Sequence, residues 1–204
     1  PVRIVRNAET NLGDLCADAY RALSNADIAF VNGGGIRKQI EAGDITLDDI
    51  YSVHPFGNTM CVIRVTGQQV LDALEWGARA VPSENGGFLQ VSGLTYEIHT
   101  GVASSAEKDE NGMFTRVSGE YRVKNVMVGG QPLELDKTYT LASHNYMLLG
   151  HGDGYTMFDG CEVLGEDMMV DNQVLITYIT TTLGGVVGEQ YANPYGDGRI
   201  VAVE

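Results

Sequence analysis

The chain is short of several things, and each shortage bears on function. Of its 204 residues only 13 are lysine or arginine, against 27 aspartate or glutamate, so the formal net charge is -14. A polymer of phosphates needs a basic face to follow, which argues against a nucleic-acid strand as partner. A small anion is not ruled out, because one or two arginines in a concave site outweigh a distant acidic surface. The acidity itself reads as solubility. Cysteine occurs at Cys16, Cys61 and Cys161, far apart and odd in number, so there is no CxxC metal or redox motif. These thiols read as small buried hydrophobes. No apolar run approaches the length of a membrane span, and the opening residues do not read as a signal peptide. Proline is scarce at 5 residues while glycine reaches 26, so turns rest mainly on glycine. No GK[ST] follows the glycine triplet and no G-x-G-x-x-G opens a helix, which removes the Walker loop and the dinucleotide fingerprint.

What is present is an ordinary globular composition, 44% apolar and 20% charged, long enough for one domain with a sizeable core. The abrupt start at PVRIVRN, close to a strand-like segment, reads as a domain cut from a longer protein. NLGDLCADAYRALSN places Leu12, Leu15, Cys16, Ala19, Tyr20 and Leu23 on one helical face, with Asn11 as N-cap and Asp14 at N3. DIAFVNGGG reads as a buried strand running into a glycine loop. ITLDDIYSV reads as a short helix capped by Thr46 with Asp49 three residues on. TMCVIRVT is rich in strand formers, and GQQVLDALEWGARA is amphipathic through Val70, Leu71, Leu74 and Trp76. Further on, FLQVSGLTYEI, RVKNVMV and YTLASHN read as strands, with Gly129-Gly130 as a hairpin turn. Thr100 to Gly119 is polar and reads as an exposed excursion. DNQVLITYITTTLGG is a late helix from Asp171 to about Gly184, and RIVAV closes the chain as a strand. Helices and strands mix without strict alternation, so the expected class is α+β: one domain, a mixed β-sheet flanked by helices.

Three stretches could carry chemistry. NGGGIR, Asn32 to Arg37, is either a glycine turn with a surface arginine or an anion nest of backbone N–H groups backed by Arg37. HPFGNT pins Phe56 between Pro55 and Gly57; such a ring is either core or a stacking platform for a base. ASHNYMLLGHGDGYTMF gathers Tyr146, His151, Asp153 and Tyr155 around three glycines. His151 with Asp153 invites a metal reading that nothing else in the sequence supports. Asp153 could instead accept from paired sugar hydroxyls, or simply make an Asx turn. His54, His99 and His144 are scattered and read as satisfied or solvated. No Ser-His-Asp set follows from spacing.

Taken in order, ETNLGDLCADA, IAFVNGGGIR, ITLDDIYSVHPFGNT, GGFLQVSGLTYEI and GHGDGY resemble the C-terminal, substrate-specificity domain of the 5′-nucleotidase and UDP-sugar hydrolase family, over nearly the whole chain. The resemblance implies that this chain binds a nucleoside or nucleotide such as AMP, adenosine or a UDP-sugar. It implies that Phe56 and Tyr146 stack on the base, that Asp153 takes the ribose hydroxyls, and that Arg6, Asn32 and Arg37 complete the site. It also implies a separate N-terminal metallophosphoesterase domain, holding two divalent ions such as zinc or manganese, that performs the hydrolysis, and a rotation that swings the loaded nucleotide toward those ions. The family's Asp-x-His, Gly-Asn-His-Asp/Glu and Gly-His-x-His metal stretches do not occur here. The expectation is therefore no cofactor, no metal site and no phosphate-ester hydrolysis in this chain alone, and an extracytoplasmic location. A stand-alone, non-catalytic nucleoside-binding module is the alternative. The sequence departs from the family pattern twice: it reads GHGDG where GGDG is usual, one residue longer, and its second stacker is Tyr rather than Phe.

Overall fold

Strand residues alternate between two faces, and here the alternation sorts the apolar side chains into two cores. The structure, a computed structural model, describes residues 3–204. In chain order the principal elements are α1 (Asn11–Ser24), β1 (Ile28–Asn32), α2 (Leu47–Val53), β2 (Met60–Thr66), α3 (Gly67–Ala78), β3 (Leu89–Ser92) and β4 (Leu94–His99). There follow β5 (Ala106–Lys108), β6 (Phe114–Val117), β7 (Val123–Val128), β8 (Gln131–Pro132), β9 (Thr138–His144), α4 (Asn145–Leu148), β10 (Glu162–Gly165), α5 (Asp171–Thr177) and β11 (Ile200–Val203). The main sheet is mixed, in the order β10-β2-β9-β1-β3, with β1 and β9 parallel. A second mixed sheet runs β11-β4-β7-β8, with β11 parallel to β4.

The central strands send side chains into cores on both faces, and β1 accordingly reads as a near-continuous apolar run. From β1, Ile28 and Phe30 enter one core while Ala29 and Val31 enter the other. From β2, Cys61, Ile63 and Val65 go one way and Met60 and Val62 the other. The first core is closed by α3, through Val70, Ala73, Leu74 and Trp76, and by the second sheet. The second is closed by α1, through Leu15, Cys16, Ala19 and Tyr20, together with α2 and α5. Each fully buried large aliphatic side chain contributes about 1.5–3 kcal/mol. The result is α+β with mixed sheets flanked by helices, as the sequence predicts, plus a second sheet that the sequence did not separate from the first.

Local chemistry explains the boundaries. Thr46 and Asp49 form a reciprocal capping box at α2, and Thr66 with Gln69 repeats it at α3. The N-cap of α1 is Thr10, not Asn11: Thr10 is extended and its hydroxyl accepts from Gly13 N–H at 3.1 Å, while the Asn11 amide turns away to the Tyr191 carbonyl. The polar stretch from Thr100 to Gly119 is not only an excursion. It folds into the β5–β6 hairpin, and Phe114 seats its ring 5.7 Å from that of Trp76. Gly129 and Gly130 adopt φ of 57° and 77° and turn β7 into β8. At the start, Pro1 and Val2 lie outside the described residues, and Ile4–Arg6 form a 3-10 turn rather than a strand.

Candidate functional site

The C-terminal ends of β1 and β9 and the loop after α2 surround a cleft of about 400 Å³. Arg6, Asn32, Arg37, Phe56, Tyr146 and Asp153 all line it, with Asn58 and Gly34 at its edge. Six positions spread over the chain thus meet at one place.

The two aromatic rings are exposed, Phe56 by 60% and Tyr146 by 45%. The core reading of Phe56 is therefore wrong. The turn that holds it projects outward beyond α2, and Val53, three residues earlier, is the side chain that goes inward. Exposing a ring of this size forgoes a burial gain of about 1.5–3 kcal/mol. Phe56 carries the Arg37 guanidinium 5.6 Å from its ring centroid. Tyr146, at the start of α4, lies against the Gly152 backbone, where a Cβ would meet the ring at 2.3 Å. The second glycine of GHGDG is there to give the ring its seat.

The arginines are poised differently from most charged groups here. Among the described residues, neither Arg6 nor Arg37 has a carboxylate within ion-pair distance. Arg37 makes one side-chain bond, to the Gly34 carbonyl at 3.2 Å. Arg6 leaves its buried Nε without a partner. Burial lowers the Arg6 pKa from its usual value, helped by the nearby Arg3 and Arg37 charges and opposed by Glu84 and Asp153. Two guanidinium groups that repel each other across a cleft are a standing offer to an anion.

Two of the glycine triplet's three amides are already taken and do not face an anion. Gly33 N–H donates to the Phe88 carbonyl at 2.7 Å and Gly34 N–H to the Gly86 carbonyl at 2.7 Å. The glycines serve close approach instead: a Cβ on Gly33 would lie 2.1 Å from the Val5 carbonyl oxygen. That contact brings the Arg6 turn up against the end of β1.

Asp153 sits in the left-handed region at φ 55°. Its carboxylate accepts from Asn32 Nδ2 at 2.6 Å and from the Tyr146 hydroxyl at 3.2 Å, so it does not form an Asx turn. Its carbonyl accepts from Trp76 Nε1 at 2.9 Å, which ties the loop to α3. Tyr155 is fully buried and its hydroxyl donates to the Gly87 carbonyl, so it anchors the loop rather than lining the cleft. His151 faces Asp159 at 3.8 Å, so His151 and Asp153 serve different partners.

His144, which the sequence marks only as satisfied or solvated, also meets a site residue. It ends β9, is buried, and places Nε2 2.9 Å from Asn32 Oδ1. Burial pushes its pKa down to about 4, with a smaller contribution from His54. Only its place beside Tyr146 at the end of a buried strand could have pointed to it.

A second charged cluster lies elsewhere, where Glu9, Asp14 and Asp197 bring carboxylate oxygens together. It does not suit a cation. Glu9 Oε1 accepts from the Asp197 and Gly198 amides at 2.6 and 2.9 Å, and Oε2 from Ile200 N–H at 2.7 Å. Arg199 supplies the positive charge, paired to Asp18 at 2.7 Å and Asp197 at 3.0 Å and lying 3.6 Å from Asp14. Burial pushes the Asp14 carboxyl up to about 8 against the pull of Arg199. The cluster is a latch joining α1 to β11.

A family model described as the 5′-nucleotidase, C-terminal domain matches residues 1–160. The chain belongs to this family. This 5′-nucleotidase-type domain is 36% identical over 203 residues to the trifunctional nucleotide phosphoesterase protein YfkN of Bacillus subtilis, covering 98% of the chain and 13% of that protein. It is 34% identical over 176 residues to a 5′-nucleotidase of Vibrio cholerae, covering 86% of the chain and 28% of that protein. The crystal structure of a 5′-nucleotidase precursor from Thermus thermophilus superposes with a TM-score of 0.81 at 32% identity, over 98% of the chain and 37% of that structure. The chain therefore spans well under half the length of these relatives. In the GHGDG loop His151, at φ 53°, and Asp153, at φ 55°, are left-handed on either side of Gly152.

Proposed function

We propose that this chain is the nucleoside-recognising half of a phosphoric ester hydrolase. Phe56 and Tyr146 grip the base, Asp153 accepts from the ribose diol, and Arg6 and Arg37 hold the phosphate end. The observation that carries this reading is that two exposed rings, a carboxylate and two guanidinium groups with no carboxylate partner among the described residues line a single cleft. Stacking contributes roughly 1–3 kcal/mol per base, and charge-assisted bonds to phosphate add to it. Hydrolysis belongs, in this reading, to a separate metallophosphoesterase domain with two divalent ions, such as zinc or manganese, in an extracytoplasmic protein. Among the described residues the one carboxylate cluster, Glu9 with Asp14 and Asp197, is taken up by backbone amides and Arg199, so no chemical step is assigned to this chain. Its contribution is positioning: a phosphate held in one orientation reaches the reacting centre with part of the entropic cost already met, several kcal/mol at best.

Calorimetric titration of the chain tests this. Adenosine and AMP should both give saturable heat at one site, AMP binding more tightly, with an advantage that shrinks as salt rises. Absence of heat with either ligand overturns the reading.

A further inference from the structure

A hydrogen-bonded line runs from the protein interior to the floor of the cleft. Its first member, His144, is 2% exposed; its second, Asn32, is 4% exposed. His144 Nε2 stands 2.9 Å from Asn32 Oδ1, and Asn32 Nδ2 donates to Asp153 Oδ2 at 2.6 Å. The chemistry of the last member fixes the rest. A carboxylate accepts only, so the amide must present its NH2 to Asp153 and its carbonyl oxygen to His144. That oxygen also accepts only, so the ring nitrogen facing it must carry the proton. The Nε2–H tautomer is thereby dictated, and Nδ1 is left without a partner in the interior. The surroundings hold the ring in place: Tyr20 meets it edge-on at 6.4 Å and Tyr146 lies tilted at 5.9 Å. On the cleft side the Tyr146 hydroxyl donates to Asp153 Oδ1 at 3.2 Å and accepts from Asp153 N–H at 3.2 Å.

We propose that His144 is a positioning residue for recognition of a vicinal diol: its Nε2 proton orients Asn32, whose amide sets the rotation of the Asp153 carboxylate toward the ligand's two hydroxyls. This rests on the nucleoside reading above and adds a residue that touches no ligand. Each carboxylate oxygen spends one lone pair on the protein, one on Asn32 and one on Tyr146, and keeps another for a hydroxyl. Without His144 the Asn32 carbonyl oxygen loses its buried donor. The amide, then held only by Asp153, swings with the carboxylate instead of fixing it. Burial favours the neutral ring that this arrangement uses.

The test compares adenosine with 2′,3′-dideoxyadenosine, which keeps the base and lacks the diol. The whole chain is used as wild type, His144→Leu and His144→Gln. Wild type should prefer adenosine. His144→Leu should lose about tenfold in adenosine affinity, the value of one charge-assisted hydrogen bond, with dideoxyadenosine affinity unchanged. His144→Gln, which returns an N–H at similar reach, should restore most of the preference. A merely structural role would weaken both ligands alike and would show no rescue. If wild type prefers adenosine and His144→Leu keeps that preference undiminished, this inference falls while the nucleoside reading stands. If wild type binds neither ligand, both fall. If His144→Leu does not fold, 15N NMR of the wild-type ring decides: the Nε2–H tautomer supports the relay and the Nδ1–H tautomer overturns it.

Discussion

Arg199 and Arg37 carry the same guanidinium and meet opposite surroundings. Arg199 is embedded among Asp14, Asp18 and Asp197, its fork closed on Asp18 at 2.7 and 2.9 Å, and its side chain is 14% exposed. Arg37 has one carbonyl and the face of an exposed ring. Glu9 in the first region is likewise spent, on three backbone amides. The second region keeps unspent donors, unburied rings and a carboxylate with lone pairs to offer. A saturated cluster stabilises a fold; an unsaturated one carries a standing cost that only a ligand relieves. Arg6 and Glu9 stand three positions apart in one short segment, yet the chain sends the first to the open cleft and the second to the closed latch.

The contrast is sharpest in stability. Arg199→Ala should cost roughly 3–5 kcal/mol, because it leaves acids facing one another in a largely buried site. Arg37→Ala, by contrast, should change stability by no more than about 0.5 kcal/mol while weakening AMP binding. Denaturant midpoints and AMP titrations of the two variants check both arms. Equal stability losses would erase the distinction between latch and cleft.

The next effect is on binding. Phe56→Ala should weaken adenosine by about 1–3 kcal/mol with the denaturation midpoint unchanged, since a ring 60% exposed contributes little to the core. Calorimetry reads the first and chemical denaturation the second. A variant that unfolds early yet binds as before would return Phe56 to the core.

The last effect is a slope rather than a single loss. Asp14 holds its proton up to about 8 in the folded chain, against an ordinary value of 3.8. The folded state then binds more protons than the unfolded one between those values, so Asp14 makes stability fall as pH rises from about 4 to about 8. Asp14→Asn removes that contribution. Its denaturation midpoint should decline less across the same range than that of wild type, the two curves separating most at the alkaline end. Parallel curves would mean that Asp14 is ionised in the latch.

How much of this was legible in the sequence depends on what kind of force fixes each residue. β1 was legible because a strand buried on both faces needs an apolar run, and β2 and β9 because they are rich in strand-forming residues. The α2 capping box was legible because Thr46 and Asp49 act three residues apart. β10 was not: Glu162–Gly165 is an exposed edge strand held to β2 by its backbone, which leaves no periodicity. The cleft was legible only as an ordered set of motifs. Neither Arg6 nor Phe56 carries a local pattern that distinguishes binding from turn or core. The fate of the Gly33 and Gly34 amides and the reach of His144 to Asn32 depend on pairings across 55, 52 and 112 residues of chain, respectively. No window along the sequence contains them.

The central claim is that the cleft grips a nucleotide by its base, diol and phosphate together. A crystal structure of the chain grown with AMP tests it most directly. The account predicts the adenine ring between Phe56 and Tyr146, the ribose hydroxyls on Asp153 and the phosphate against Arg6 or Arg37. AMP bound elsewhere on the surface, with the two rings empty, would contradict it.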